Sequence, residues 1–119
     1  MKSFLKRTVA KFKYSFQGLV HGLSYDKSIQ IQGCIGLAVV LFCLFLSLKG
    51  YEWVLILSMI LLVLAAEFIN STVEALCDKL YPTYHKEAKK IKDYAAAAVL
   101  LISMIAALVA ILVIGGKLF

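Results

Sequence analysis

Three long apolar runs limit what this chain can fold into. Ile31 to Leu48 is broken only by Gln32 and Ser47. Trp53 runs to Ala66 and then meets Glu67. Tyr94 runs to Ile114 with Ser103 as its one polar residue. Each approaches or meets the ~20 residues that a transmembrane helix needs. Composition agrees. The 119 residues are 62% hydrophobic and 17% charged, with a mean hydropathy of +0.89. A soluble domain has about half its residues apolar, and a disordered chain carries far more charge. The expected fold is therefore a single all-α integral membrane domain covering residues 1–119. Its spans are expected at about 31–48, about 53–74 and about 93–115.

The first residues read differently. On a helical wheel of residues 5–23, Leu5, Val9, Phe12, Phe16, Leu19, Val20 and Leu23 share one arc. Lys6, Arg7, Lys11, Lys13, Gln17 and His21 lie outside it. This is the pattern of an amphipathic helix lying in the headgroup plane, expected at about 3–24. The start is no secretory signal, because basic and apolar residues interleave with no uninterrupted apolar core.

Thirteen Lys+Arg against seven Asp+Glu leave a net charge of +6. In so apolar a chain the excess sets topology, and the aromatic interleaving of a single-strand binder is missing, so no nucleic-acid partner is expected. Lys2, Lys6, Arg7, Lys11, Lys13 and Lys27 precede the first span; Lys79, Lys86, Lys89, Lys90 and Lys92 lie between the second and third. Only Lys49 and Lys117 fall on the other side. The positive-inside rule then predicts a cytoplasmic N-terminus and second loop, with the C-terminus outside. Tyr51 and Trp53, beside the tight turn Lys49–Glu52, are expected as interfacial anchors. Cys34, Cys43 and Cys77 show no metal or redox spacing and read as inert thiols in apolar surroundings.

The second helix is expected to continue from Glu52 to about Tyr81, because Pro82 disfavours helix in the residue before it. At 1.5 Å per residue that is roughly 45 Å, longer than the ~30 Å hydrocarbon core, so its last turns project into water. Glu67, Asn70, Glu74 and Asp78 are spaced 3, 4 and 4 and share one face. Measured from Trp53, Glu67 lies about 21 Å down, still inside the hydrocarbon, whereas Glu74 lies about 31 Å down at the headgroups. An ionisable group at Glu67's depth costs several kcal/mol unless it is paired or neutral, which marks it as a functional candidate. The bland alternative is a protonated Glu tying helices together. Lys92 and Asp93 lie at the mouth of the third span, level with Glu74, where a lysine could balance phosphate charge or simply snorkel. Ala95 to Ala98 allow a neighbouring helix to come close. No glycine-rich phosphate loop and no histidine pair suited to zinc is present.

Glu67-Phe-Ile-Asn70-Ser-Thr-Val-Glu74-Ala-Leu-Cys-Asp78 resembles the E-x-x-N-[ST]-x-x-E-x-x-x-D signature of prokaryotic membrane diacylglycerol kinases and the related undecaprenol kinases. Tyr84-His85, Lys92-Asp93-x-Ala-Ala-Ala-Ala-Val and Tyr14-Ser15-Phe16-x-Gly18-Leu19 resemble that family's other motifs, in one register over nearly the whole chain. The resemblance implies transfer of the ATP γ-phosphate to a lipid hydroxyl with Mg²⁺, by a homotrimer in the bacterial inner membrane whose sites are shared between chains. By the same resemblance Glu67 matches the catalytic base, and Asp26 and Glu74 match the metal-binding acids. Arg7, Tyr14, Asp26, Glu74, Thr83, Tyr84, His85, Lys92 and Asp93 match nucleotide-contacting positions. Glu67, Asn70 and Ala96 fall on the lipid-substrate side. Two departures stand out: relatives usually carry Glu at the position of Asp26, and many carry Phe-Arg where Ile29-Gln30 stands. The loop Tyr81-Pro82-Thr83-Tyr84-His85 looks like the Gram-positive branch, which inclines the expected acceptor to undecaprenol, with diacylglycerol as the alternative. The non-enzymatic alternative is a small proton-coupled transporter built around Glu67. It leaves the acids that reach water, and Lys92-Asp93, without a task.

Overall fold

The computed structural model describes residues 1–119. Four helices follow one another: α1 Lys2–Tyr25, α2 Lys27–Cys43, α3 Gly50–Leu80 and α4 Lys86–Leu118. Of the 100 backbone hydrogen bonds, 90 lie within the helices, as a chain without water around it requires. α3 and α4 are each long and apolar enough to cross a membrane; α1 and α2 reach that standard only as a pair, and they meet at a bend of 92°.

One residue makes the bend. Asp26 leaves the helical region (φ −96°, ψ 116°), its N–H closing α1 on the Gly22 carbonyl at 2.9 Å. Its carboxylate accepts from the Ile29 N–H at 3.1 Å, so Asp26 is also the N-cap of α2. The end of α1 is seated on α3 at Gly22. A Cβ there would lie 2.4 Å from the ring of Phe68, the neighbour of Glu67, so only glycine permits this approach. The apolar arc of α1 is exposed within the single chain: Val9 is 66% and Phe16 64% exposed, which suits a helix that rests on lipid.

The apolar run expected as one span over 31–48 is helical only to Cys43. The difference has a steric cause. The chain must reverse before α3 begins at Gly50, so the last apolar residues form the turn. The Phe45 and Leu46 N–H groups bond three residues back, to the Phe42 and Cys43 carbonyls, and Ser47 adopts φ 54°. Lys49 then opens α3, its N–H donating to Glu52 Oε1 at 2.8 Å. Lys117 reaches the same carboxylate at 2.8 Å and ties the end of α4 to the start of α3. Lys117 first, and the Lys49 N–H second, hold the Glu52 carboxyl below its ordinary value. Beneath this pair, Cys43, Ile56 and Val113 form a buried cluster, and Trp53 is half-buried against it in addition to its place near the helix start. Cys43 and Cys77 are buried and Cys34 is exposed, all three as free thiols. α3 and α4 share the most extensive packing, and their far ends carry the loop 81–85.

Candidate functional site

α3 turns its polar face through two environments. Glu67 and Asn70 are buried, 7% and 8% exposed, while Glu74 and Asp78 are open to the surroundings. Neither buried group stands alone. Gln32 on α2 donates from Nε2 to Glu67 Oε1 at 3.4 Å. Asn70 donates from Nδ2 to Glu74 Oε1 at 3.0 Å, linking the buried level to the exposed one. The amide oxygen of Asn70 is buried with no donor opposite it. A buried acceptor without a partner costs about 1–3 kcal/mol, so a group carrying an O–H or N–H would gain by docking there.

Asp26 joins this cluster from the α1–α2 bend. The Ser71 hydroxyl beside it, then the Ile29 N–H, hold its carboxyl below the usual range. The donor set is all oxygen, the set that hard divalent cations prefer. No three such side chains close into a ready-made metal cage. Mg²⁺ does not need one, since it is commonly held by one or two carboxylates plus substrate phosphates and water. Asp26 and Glu74 fit that requirement.

Beyond Glu74 lies a second site. A cavity of about 400 Å³ at the ends of α3 and α4 is lined by Thr83, Tyr84, His85, Lys92 and Asp93, together with Asp78, Tyr81 and Lys89. Lys92 Nζ lies 2.8 Å from Asp78 and Lys89 Nζ 2.7 Å from Asp93. These partners raise the pKa of both ammonium groups. Through Asp78, one turn beyond Glu74 on α3, Lys92 ties the loop cavity to the end of the acid face.

A third feature is apolar. A cavity of about 340 Å³ runs between α2, α3 and α4, nine of its twelve lining residues hydrophobic. Gln32 lines it while bonding Glu67, and Val63 lines it one turn from Glu67. Gly36, Ala106, Ala107 and Ala110 keep its walls low. The buried carboxylate therefore has an apolar cavity beside its Gln32 partner, while the aqueous, charged cavity lies further along the same helix, from Cys77 onward.

The remaining candidate residues are not drawn into these clusters. Tyr14 lines a shallow cleft on α1 with Lys2, Lys6 and Lys13; Arg7 is exposed on the same helix, and Ala96 is exposed on α4. Sequence reasoning did not assign Gln32 or Tyr81, and it read Asp78 as a solvated helix-end acid or as the partner of Lys79 or a loop lysine; the structure pairs it with Lys92. For Gln32 the signal was present: a polar side chain interrupting an apolar run needs a partner. Tyr81 and the pairing depend on how the loop folds back.

Comparison with known proteins defines the class. The prokaryotic diacylglycerol kinase family matches residues 13–114. A protein of Haemophilus influenzae named diacylglycerol kinase is 30% identical over 115 residues, covering 97% of this chain and 94% of its own. One of Escherichia coli K12 with the same name is 29% identical over 100 residues, 84% of this chain and 82% of its own. One of Synechocystis is 29% identical over 109 residues, 91% of this chain and 59% of its own. These bacterial relatives are lipid kinases by name, and the apolar, all-helical fold described above suits a membrane enzyme of that class. The chain belongs to the prokaryotic diacylglycerol kinase family.

Proposed function

We propose that this protein transfers the γ-phosphate of ATP to the primary hydroxyl of a membrane lipid, with Glu67 as the base. One observation carries the reading: a buried carboxylate, bonded to Gln32 at the rim of an apolar cavity, shares a helix face with an acid that meets water. A lipid alcohol approaches Glu67 through apolar space, and ATP approaches Glu74 through water. Glu67 takes the hydroxyl proton as the oxygen attacks. The unpartnered Asn70 oxygen accepts from the substrate and orients it. Gln32 fixes the Glu67 carboxylate.

Phosphoryl transfer asks the protein for positioning and charge neutralisation more than for covalent chemistry. Asp26 and Glu74 would hold Mg²⁺, which when bound neutralises charge on the phosphate oxygens. Thr83, Tyr84, His85, Lys92 and Asp93 hold the nucleotide, Lys92 exchanging Asp78 for phosphate. Arg7 and Tyr14 of α1 and Ala96 of α4 complete the site from neighbouring chains of a homotrimer, which accounts for their distance from it in one chain. The N-terminus and the loop 81–85 face the cytoplasm of a bacterial cell, where ATP is, and the C-terminus faces outward.

The acceptor is undecaprenol on the reading of the loop Tyr81–His85. Diacylglycerol is the second reading, favoured by the names of the relatives. Both present a primary hydroxyl. Purified protein, given radiolabelled ATP and each lipid in turn in mixed micelles, is expected to label undecaprenol faster. Faster labelling of diacylglycerol reverses the choice of acceptor, and labelling of neither lipid removes the proposed activity.

A further inference from the structure

The nucleotide residues proposed above account for phosphates and metal but not for the base. The loop between α3 and α4 carries a stacked pair of rings, of which Tyr81 has no role so far and His85 is named above only as a nucleotide contact. Tyr81 and His85 stack with centroids 4.2 Å apart and planes inclined by 31°. Both line the aqueous cavity with Lys92 and Asp93. Each is held by the backbone of a helix end. Tyr81 closes α3, its N–H bonded to the Cys77 carbonyl at 2.8 Å, with Pro82 stopping the helix behind it. His85 opens α4, its Nδ1 accepting from the Ala88 N–H at 3.3 Å. That bond leaves the proton of a neutral ring on Nε2, a donor turned elsewhere.

We propose that Tyr81, braced on His85, is the platform on which the base of the nucleotide stacks, and that it gives the enzyme its preference for nucleotides with a large aromatic base. The inference rests on the phosphotransfer reading for its polarity. The γ-phosphate has to reach the level of Glu67 and Glu74, so the base end points away from the membrane. Tyr81 is seven residues beyond Glu74, about 10 Å further along α3, and lies on the aqueous side. Lys92 stands between the two levels, where the phosphates pass. Stacking does not read hydrogen-bond edges, so the platform favours purines through their larger face.

The test compares Mg-ATP with Mg-tripolyphosphate, which offers the same phosphates without a base. Equilibrium binding of each is measured on the detergent-purified full chain and its Tyr81→Ala, Tyr81→Leu and Tyr81→Phe variants. In Tyr81→Ala and Tyr81→Leu, ATP affinity is expected to fall about ten-fold while tripolyphosphate affinity stays within two-fold, and Tyr81→Phe is expected to match the parent. In turnover, the same change appears in the KM for ATP and not in kcat. Equal weakening of both ligands makes Tyr81 only a brace for the loop and overturns the proposal, as does a parent protein that binds the two ligands equally. A parent that binds ATP in this pattern yet phosphorylates no lipid overturns the proposed activity and leaves the platform standing.

Discussion

Glu67 and Glu74 lie two turns apart on one face of α3, and their surroundings differ in every respect that matters to chemistry. Glu67 is buried, bonded to an amide of another helix, and close to an apolar cavity. Glu74 is exposed, bonded to Asn70 of its own helix, and one turn from Asp78, which pairs with Lys92 of the loop cavity. A carboxylate on the dry side has few competitors for a hydroxyl proton, whereas one on the wet side can hold a hydrated cation. One helix that outruns the bilayer can thus place two different tools in line. The rigid spacing of the helix sets their separation, without a hinge or a second domain.

Substitutions that separate the two ends sharpen this contrast. The largest effect is expected from Glu67→Gln: turnover falls about 10²- to 10⁴-fold, while helical content by circular dichroism and ATP binding stay as in the parent. Near-normal turnover in that variant removes Glu67 from the chemistry. Glu74→Ala is expected to act at the other end, raising the Mg²⁺ concentration for half-maximal rate by about ten-fold or more. An unchanged metal titration takes Glu74 out of the cation site.

Asp26 has duties at both ends, since it caps α2 and stands beside the acids. Asp26→Glu moves the carboxylate one methylene from the Ile29 N–H. A loss of about 1 kcal/mol in stability is expected, read as a lower unfolding temperature in detergent. The pH dependence has a definite sign. Because the folded carboxyl lies below its unfolded value near 3.8, its contribution is complete above that pH and drains away as the pH falls through the lowered folded value. Asp26→Asn is expected to flatten that part of the acid-unfolding curve. The smallest effect is expected from Asp78→Asn. The Asp78–Lys92 pair is exposed and screened by solvent, so stability is expected to stay near that of the parent, and ATP affinity rises by less than about five-fold as Lys92 is released. A large loss of ATP affinity instead makes the pair a prerequisite of binding.

The helices and the acid face were legible because they follow from period and length. A spacing of 3, 4 and 4 fixes a face whatever the helix packs against, and Pro82 marks where α3 has to stop. Less legible was anything that depends on what lies opposite. Gln32 was visible as a polar break in an apolar run, but its partner is 35 residues away and only the packing of α2 on α3 brings them together. The end of α2 at Cys43 was hidden because Leu44–Leu46 are apolar in a turn as they would be in a helix. The cap at Asp26 was hidden: the family resemblance proposes it as a metal-binding acid, whereas the bend that makes it a cap appears only in three dimensions. The seat of α1 on Phe68 at Gly22 left no trace in periodicity, because a missing side chain adds nothing to a pattern.

The central claim, one face in two media with one substrate at each, can be read directly by carbodiimide labelling and mass spectrometry on protein in lipid vesicles. A lipid-soluble carbodiimide is expected to modify Glu67 and a water-soluble one Glu74, with the lipid alcohol protecting only Glu67 and Mg-ATP protecting only Glu74. Equal modification of the two residues by both reagents, or protection of Glu67 by Mg-ATP in the absence of lipid alcohol, contradicts the account.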